Sequence, residues 1–400
     1  MKYAVLIGDG MGDYPLAELK GRTILEAAAT PNLDALAQGG LLGLVQTIPE
    51  TKESGSDVAN MAIMGYDPAI YHTGRGPLEA ASLGVRLEQT DLAFRLNLVT
   101  LEFAGSKTFM RDHSAGHIGT DEAHILLEHL AATLPLNAGQ KLYPGVSYRH
   151  LLVWPRLPAD LPTIPPHDWR DKEVSWHLAN GDRNLAPVLD LVKASWPILA
   201  DHPVNQKRRR SGLKPANSIW PWGQGRPPAM SAYKERFGLT GAVVSAVDLI
   251  KGLGVYAGLK PLDVPGATGY LDTNCEGKVQ AALTALQDDD FVLLHLEAPD
   301  EAGHQGDWKA KLAAIEMFDH RVVGPIWAGL KEMGEFRLLV LCDHYTPVTV
   351  KTHTREPVPF LVYPGPRPSG RPFTEKEASC SGLYLPHGHL LVGLLFGSRG

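Results

Sequence analysis

The chain has 400 residues, a formal net charge of −6, and a composition that is 44% hydrophobic and 20% charged. Those values are typical of a globular protein of two domains, or of one domain with a large insert. The acidic balance gives no indication of nucleic-acid binding, and no apolar run approaches the roughly 20 residues that span a membrane. Three scattered cysteines without a CxxC pair support neither a disulfide framework nor a zinc knuckle, and predict a reducing, cytoplasmic location.

The amino-terminal elements lead to two motifs that carry chemistry. A short apolar run, Tyr3–Ile7, predicts a buried parallel strand that ends in the glycine-rich loop around Asp9. Thr30 and Pro31 are typical of a helix start, with Thr30 as the N-cap and Pro31 at the first helical position. The segment KESGSDVAN then places Ser56 after a glycine and before a predicted helix. Ser56 is therefore a candidate turn residue, helix cap or nucleophile.

The second half of the chain alternates predicted strands with predicted helices. The strands are expected at residues 242–245, 291–296, 337–342 and 358–363, and the helices through 249–250, at 277–286 and from 307 to about 333. Such alternation predicts an α/β fold, with a mostly parallel sheet and helices on both faces. Residues 86–238 differ, because they are rich in proline, tryptophan and loop-like stretches. We therefore predict a core domain of residues 1–85 and 239–400, with an inserted smaller α/β domain of residues 86–238.

Three clusters of Asp and His side chains follow predicted strands at their carboxyl ends. Their members are Asp9 after the first strand, Asp300 and His304 after residues 291–296, and Asp343, His344 and the more distant His353 after residues 337–342. Ligands of an open parallel sheet bind beyond these strand ends, so the clusters are expected to converge on one edge. Each cluster alone is also consistent with a helix cap, a surface pair or a turn. Together they predict a metal site.

The residue types indicate which chemistry that site performs. Carboxylate and imidazole ligands suit Mn²⁺ or Zn²⁺, with Co²⁺ and Mg²⁺ as alternatives. Three Asp and three His are enough for two ions about 3.5–4 Å apart, which can hold a phosphoryl group and activate a hydroxyl nucleophile. Ser56 fits that role, because the glycine before it permits close approach and the helix after it favours a phosphate. Ser54 lies further from the helix start, so Ser56 is preferred.

The motifs as a set resemble those of a known family. The order of the Asp, Ser and His motifs is that of the alkaline phosphatase superfamily, and the chain resembles its archaeal-type 2,3-bisphosphoglycerate-independent phosphoglycerate mutases. The segments that carry the narrower resemblance are TPNLDALA at 30–37, GSDVAN at 55–60, GYDPAIYHTGRGPLEAAS at 65–82, SAGHI at 114–118, PANSIWPWGQG at 215–225 and TGYLDTNCEGK at 268–278. The resemblance covers nearly the whole chain.

The resemblance implies a specific activity and a specific ligand set. Ser56 would take the phosphoryl group from 3-phosphoglycerate and return it to the 2-hydroxyl of the reoriented glycerate. The inserted domain would keep water away from the phosphoserine. The ligands of one ion would be Asp9, Ser56, Asp343 and His344, and those of the other would be Asp300, His304 and His353.

Further roles follow from the same resemblance. Lys278 is implied as a phosphoryl contact, and His117 as the acid–base group for the substrate hydroxyls. Arg208 is implied to grip a carboxylate or phosphate, with Arg75 and Arg149 as further substrate-binding residues. The alternatives for these side chains are a surface lysine, a structural histidine and a solvated basic run.

The resemblance leaves the substrate open between two branches. Mutases of the family commonly carry a histidine where this chain has Asn60, and a bacterial branch that shares GSDVAN has been proposed to phosphorylate homoserine. The same metal–serine machinery with homoserine or another acceptor is therefore one alternative, and a metal-dependent phosphatase is another. The expected partner in every case is a small phosphorylated molecule, with no nucleic acid and no membrane; the sequence does not indicate an oligomeric state.

Overall fold

The computed structural model describes residues 1–397 of the chain. Two compact units are present: unit 1 is Met1–His72 with Ala229–Gly400, and unit 2 is Thr73–Pro228. The chain passes between the units after His72 and before Ala229, whereas the sequence predicted boundaries near residues 85 and 238. Helix Arg75–Ser82 belongs to unit 2 because it packs on three of that unit's strands, and Tyr233 belongs to unit 1 because its ring packs against Phe291.

The strands of residues 1–397, in chain order, are β1 Lys2–Gly8, β2 Leu41–Val45, β3 Asp91–Ala104, β4 Lys107–Asp112, β5 Lys141–Tyr143, β6 Arg149–Pro155, β7 Ser218–Gly225, β8 Gly241–Val244, β9 Lys260–Leu262, β10 Phe291–Leu296, β11 Phe336–Leu341, β12 Val358–Tyr363 and β13 Tyr384–Leu385.

The α-helices of the same residues are α1 Ile24–Ala27, α2 Pro31–Gly39, α3 Ser56–Ile63, α4 Pro68–Tyr71, α5 Arg75–Ser82, α6 Thr120–Thr133, α7 Ser175–Leu178, α8 Ala186–Ala200, α9 Pro203–Arg210, α10 Tyr233–Phe237, α11 Asp248–Tyr256, α12 Cys275–Asp288, α13 Ala298–Gln305, α14 Trp308–Phe318, α15 Gly324–Glu332, α16 Glu375–Ser379 and α17 Leu391–Phe396. A π-helical segment, Asp319–Val323, joins α14 to α15. No helix in this part of the chain is long and apolar enough to cross a membrane.

Unit 1 is built on one eight-stranded sheet with the strand order β13-β2-β12-β11-β1-β10-β8-β9. The sheet is parallel except at β12, which runs antiparallel to β2 and β11. Strands β1, β10 and β11 are apolar and almost wholly buried, as central parallel strands are when helices cover the sheet. Helices α2, α12 and α17 pack against it. The predicted α/β fold with a mostly parallel sheet is confirmed.

The start of α2 is fixed by a distant residue and not by its own N-cap. Pro31 is the first residue of the helix, as predicted, but the side chain of Thr30 makes no capping hydrogen bond. The carboxylate of Asp319 accepts hydrogen bonds from the backbone N–H of Leu33 (2.7 Å) and from the side chain of Asn32 (2.9 Å). A buried carboxylate at a helix N-terminus satisfies donors that the helix leaves open.

Unit 2 is a five-stranded antiparallel sheet covered by helices. Strand β3 is central: its first part lies between β6 and β7, and its end pairs with β4. Helix α8 packs on β7, and α6 packs on α8. A hydrophobic core of buried residues from β3, β7, α6 and α8, including Phe94, Leu126, Val192 and Trp220, holds these layers together.

Candidate metal centre

The central strands of unit 1 bring the predicted ligand clusters to one edge of the sheet. Strand β1 lies between β10 and β11, with Ile7 in register with His295 on one side and with Leu341 on the other. Asp9 follows β1, α13 begins two residues after β10, and Asp343 follows β11. The backbone N–H of Gly10 donates to Oδ1 of Asp343 (3.0 Å), so the loops after β1 and β11 are joined directly. The expected convergence therefore occurs.

Asp300, His304 and His353 form one set of ligand atoms. Asp300 and His304 lie one turn apart on α13, and Oδ2 of Asp300 is 3.2 Å from Nε2 of His304. Oδ1 of Asp300 is 3.4 Å from Nε2 of His353, and the two Nε2 atoms are 3.0 Å apart. Nδ1 of His304 lies 3.1 Å from the carbonyl of Lys351, which can only accept. This carbonyl therefore holds the proton on Nδ1 and leaves Nε2 free to bind a cation.

Asp9, Asp343, His344 and Ser56 form the neighbouring part of the centre. Asp9, Asp343 and His344 are at most 1% exposed. Nε2 of His344 is 3.4 Å from Oδ1 of Asp9, 3.6 Å from Oδ2 of Asp343 and 3.0 Å from Oγ of Ser56. Oδ1 of Asp9 has no hydrogen-bond partner among the described residues. A buried carboxylate oxygen without a donor fits a metal ligand, because it would otherwise be left unsatisfied.

Thr346 fixes the orientation of the His344 ring. The hydroxyl of Thr346 donates to Oδ1 of Asp300, and its oxygen lies 3.2 Å from Nδ1 of His344. Since the hydroxyl proton is already used, Nδ1 of His344 acts as the donor to Thr346. Nε2 then presents its lone pair towards Ser56 and Asp9, as a metal ligand or a proton acceptor requires.

The pKa values of these side chains reflect their burial and the charges around them. Burial, followed by the charges of Asp343 and Asp300, raises the pKa of Asp9 well above its usual range. Burial opposes ionisation of Asp300 as well, but hydrogen bonds from His304 and His353 outweigh it and lower the pKa well below the usual range. Burial lowers the pKa of His304, yet its hydrogen bond with Asp300 raises it to about 9 overall. These shifts describe carboxylates that need cations beside them.

Ser56 begins helix α3, and its surroundings hold it in the centre. Gly55 is the N-cap in an extended conformation, so the serine is the first helical residue. The side-chain NH₂ of Asn60, one turn later and fully buried, donates to the carbonyl of Ser56 (2.9 Å) and to Oδ2 of Asp343 (2.8 Å). Asn60 thus links the nucleophile's helix to a ligand loop, a contact that the sequence did not indicate.

Lys278 lies within the core of unit 1, where its amino group is held by the end of β10. The side chain is buried, and Nζ donates to the backbone carbonyl of His295 (3.1 Å). Burial lowers the pKa of Lys278 to about 8. The neighbouring imidazole of His295 is itself fully buried, with Nε2 3.0 Å from Oδ2 of Asp9. His295 was not predicted as a site residue; the one available signal was a polar residue at the end of an apolar strand.

Three groups of ligand atoms in residues 1–397 have the spacing that a metal ion needs. Within each group the atoms lie within 4.8 Å of one another. The groups are Asp300, His304 and His353; Asp9, Asp300 and His344; and Asp9, His295 and Asp343. The donor atoms come from carboxylates and imidazoles and include no thiolate. Such a set suits Mn²⁺ or Zn²⁺, with Co²⁺ and Mg²⁺ as alternatives.

Arg208 is engaged within unit 2 on every side of its guanidinium. The residue is 4% exposed on α9. Nε donates to the carbonyl of Lys214 (2.9 Å), and the two terminal nitrogens donate to Glu122 (2.5 Å) and to the carbonyl of Ala115 (2.7 Å). These contacts link α9 to α6 and to the SAGHI segment. Substrate binding by Arg208 stays a prediction, and these partners would compete with it.

The remaining predicted residues of unit 2 are more accessible. His117 is exposed, with a φ of 50° and its N–H donating to Oγ of Ser114 (3.1 Å). Arg149 is exposed, and its guanidinium lies 5.7 Å from the ring of Tyr148, the ring against which His117 also packs. His117 and Arg149 therefore share one neighbourhood on the surface of unit 2.

The charges of Arg75 and Arg149 also affect the pKa of a third arginine, Arg95. Arg95 is partly buried, with 12% of its side chain exposed; its Nε is 2.8 Å from Oε1 of Glu79, and its guanidinium lies 4.4 Å from the ring of Trp222. Burial lowers the pKa of Arg95; Glu79 opposes this, and the charges of Arg75 and Arg149 lower it further. The three cationic side chains therefore lie near enough to one another for their charges to interact.

Solved structures share this fold and relate it to phosphoryl chemistry. The chain is similar over its whole length to a solved protein from Pyrococcus horikoshii, with a TM-score of 0.83, 32% identity and coverage of 100% of this chain and 98% of that one. A cofactor-independent phosphoglycerate mutase from Thermoplasma acidophilum gives a TM-score of 0.66 at 28% identity, with full coverage of both chains. The fold is thus that of the cofactor-independent phosphoglycerate mutases.

Sequence comparison narrows that class to one family. The model of the 2,3-bisphosphoglycerate-independent phosphoglycerate mutases matches residues 37–205. A protein of that name from Methanosarcina barkeri is 51% identical over 400 residues and 99% of both chains, and a probable member from Geobacter sulfurreducens is 48% identical over 398 residues, also 99% of both. The chain belongs to the 2,3-bisphosphoglycerate-independent phosphoglycerate mutase family.

Proposed function

We propose that this protein interconverts 3-phosphoglycerate and 2-phosphoglycerate through a phosphoserine on Ser56, without 2,3-bisphosphoglycerate. The observation that carries the proposal is the position of Oγ of Ser56, 3.0 Å from Nε2 of His344 in a buried cluster of Asp and His side chains. Relatives that are about 50% identical over their full length are named 2,3-bisphosphoglycerate-independent phosphoglycerate mutase. Action in the cytoplasm on a small phosphorylated substrate is part of the proposal.

Two divalent ions fit the ligand sets of the centre. Asp300, His304 and His353 would hold one, and Asp9, Ser56, Asp343 and His344 would hold the other; Mn²⁺ and Zn²⁺ suit these donors best. When bound, such ions neutralise charge on the transferring phosphoryl group and lower the pKa of the serine hydroxyl.

Ser56 carries the covalent step. Its hydroxyl loses a proton, Oγ forms a bond to phosphorus, and the bond between phosphorus and the 3-oxygen of the glycerate breaks as that oxygen gains a proton. After the glycerate reorients, its 2-hydroxyl loses a proton and attacks the phosphoserine, and Oγ of Ser56 leaves. Atoms and charges balance over the cycle, so no external phosphoryl donor is needed. His117 is the proposed acid–base group for the glycerate hydroxyls.

Unit 1 supplies further groups suited to the phosphoryl oxygens. The first backbone N–H groups of α3 have no partners within the helix, and a helix N-terminus favours negative charge. Lys278 adds a buried amino group at the end of β10, whose lowered pKa allows it to gain or lose a proton near neutral pH. On unit 2, considered by itself, the proposed binding group for the carboxylate is Arg75 and Arg149, supported by their proximity to Arg95.

A ³¹P NMR time course tests the proposal directly. Metal-loaded protein is given 3-phosphoglycerate with no 2,3-bisphosphoglycerate, and growth of the 2-phosphoglycerate resonance is the expected result. Release of inorganic phosphate alone would identify a phosphatase instead. If the substrate stays unchanged, ATP and homoserine are the next pair to test.

The nucleophile is tested with two neighbouring serines. Ser56→Ala is expected to abolish turnover while metal content, measured by elemental analysis, stays near that of the unchanged protein. Ser54→Ala is the matched control, since it removes the same hydroxyl two residues earlier and should keep most of the activity. Turnover that survives in Ser56→Ala and disappears in Ser54→Ala would overturn the assignment.

A further inference from the structure

The residue that follows the proposed nucleophile is a buried carboxylate. Asp57 is 2% exposed and lies in the first turn of α3, directly after Ser56. A carboxylate is favoured at this end of a helix, but the same end is proposed to receive the phosphoryl group, and two negative charges repel each other. The group that holds the carboxylate of Asp57 therefore matters for the chemistry of Ser56.

His72 donates a hydrogen bond to this carboxylate. Nε2 of His72 lies 2.8 Å from Oδ2 of Asp57, and the exposed fractions of the two side chains are 16% and 2%. Because a carboxylate oxygen accepts, Nε2 carries the proton and donates it. His72 directly follows α4 and is 15 residues from Asp57 in the chain. The hydrogen bond therefore fixes the start of α3 to the end of another helix.

The backbone of His72 is held as well. Nζ of Lys52, four residues before Ser56, donates to the carbonyl of His72 (3.1 Å). His72 is also the last residue of unit 1 before the chain passes into unit 2. Its imidazole and its carbonyl thus contact the chain on both sides of the nucleophile, one after Ser56 and the other before it.

An arginine holds the loop that contains Lys52. The guanidinium of Arg355 donates to the carbonyls of Lys52 (2.6 Å) and Glu50 (3.4 Å). Arg355 lies two residues after His353, which is a proposed ligand of the other ion. This loop is therefore joined to the segment of a metal ligand by Arg355 and to the end of α4 by His72.

We propose that His72 is a positioning residue for Ser56. Its hydrogen bond fixes Asp57, and with it the first turn of α3, so that the serine hydroxyl keeps the orientation needed for attack on phosphorus. The donor on Oδ2 also offsets part of the negative charge that would repel an incoming phosphoryl group. This inference rests on the proposed function, because it deepens the role of Ser56.

Steady-state kinetics of the metal-loaded protein test the proposal. His72→Phe keeps a ring but has no donor, and should lower kcat by about tenfold to 100-fold with KM within about twofold, because the proposed substrate-binding arginines are unchanged. His72→Gln keeps an N–H that can reach Asp57, and should hold kcat within about threefold of the unchanged protein. His387→Phe is the control, since it changes an exposed histidine of unit 1 and should alter neither constant. Equal kcat values for His72→Phe and His72→Gln would overturn the proposal.

Hydrogen exchange of the metal-loaded protein gives a test that does not need turnover. His72→Phe should speed exchange of the backbone amides of residues 50–60 by roughly tenfold and leave β10 unchanged, because it removes a hydrogen bond to a charged group. No increase in residues 50–60, or an equal increase in β10, would contradict a positioning role.

The same measurement shows whether His72 acts through Asp57. In an Asp57→Ala background, His72→Phe should speed exchange of residues 50–60 by less than about threefold, since the acceptor is already absent. An increase as large as in the unchanged background would show that His72 acts by another route. A protein without any turnover of 3-phosphoglycerate would refute the proposed function, whereas the exchange experiments would still decide whether His72 fixes the start of α3.

Discussion

Replacing Lys311 with methionine is expected to destabilise unit 1 and weaken its metal centre together. Lys311 projects from α14 into the core, and its Nζ donates to the carbonyls of Gly12 (2.9 Å) and Thr346 (2.9 Å) and to Oδ2 of Asp13 (2.8 Å). The side chains of Lys311 and Asp13 are both 0% exposed. The amino group thus joins the loop that follows Asp9 to the loop that follows Asp343.

The magnitude follows from what methionine leaves behind. Asp13 would keep a buried negative charge without its cation, and removing one partner of a buried ion pair costs about 3–5 kcal/mol. Burial already lowers the pKa of Lys311, although Asp13 opposes that shift, so the charged lysine depends on this carboxylate. Because the hydroxyl of Thr346 contacts both Asp300 and His344, movement of its loop would also displace two ligands.

Urea unfolding of the metal-free protein measures the first effect, and metal content after dialysis measures the second. Lys309→Met is the matched control, because Lys309 is exposed on the same helix. If the free energies of unfolding of the two variants differ by less than about 1 kcal/mol and their metal contents are equal, the reasoning is refuted. Lys311→Met combined with Asp13→Leu should recover part of the loss, since no unpaired charge would remain.

Three further predictions concern pH, metal and substrate. Burial raises the pKa of Glu375 to about 7, so the folded chain binds the Glu375 proton more tightly than the unfolded chain does. The stability that this proton contributes is lost as the pH rises from about 4.5 to about 7. The unfolding free energy should fall by about 2–3 kcal/mol more over that range than in Glu375→Gln, and equal slopes would contradict the assignment. Excess chelator should stop turnover until Mn²⁺ is restored. It should also lower the free energy of unfolding by about 3 kcal/mol, compared with protein in metal at 100 times the Kd. Activity that chelator does not affect would exclude a metal mechanism. Arg149→Gln should raise KM about tenfold or more in steady-state kinetics, because a hydrogen bond to a charged group contributes about 1.5–3 kcal/mol. Arg210→Gln changes another exposed arginine of unit 2 and should leave KM unchanged.

The strands and the ligand clusters were predictable because their signals are local. Apolar runs of five or six residues mark β1, β10 and β11, and polar residues at their ends mark Asp9, Asp300 and Asp343. The parallel arrangement then implied that these residues meet. The structure brings them together, and the roles of the individual residues stay predictions.

Other features depend on contacts far apart in the chain, which no local pattern reveals. The expected cap at Thr30 is replaced by Asp319, whose contact with Leu33 spans 286 residues. Lys311 occupies an ordinary position in a helical pattern, and only the fold shows that its amino group is buried. His295 reads from the sequence as part of an apolar strand, and its meaning depends on the neighbouring strand that carries Asp9.

The interrupted chain path of unit 1 has a consequence for how the protein is made. Strand β1 pairs with β10 and β11, so it leaves the ribosome well before residues 291–296 and 336–341, and its hydrogen bonds to them cannot form until they have followed. At about 5–20 residues per second, translation takes roughly 15–60 s to reach them. Unit 2 is continuous in sequence and can complete its own sheet during that interval. The segment KYAVLIG of β1, apolar and unpaired during that interval, is therefore a part of the nascent chain on which a chaperone would be expected to act.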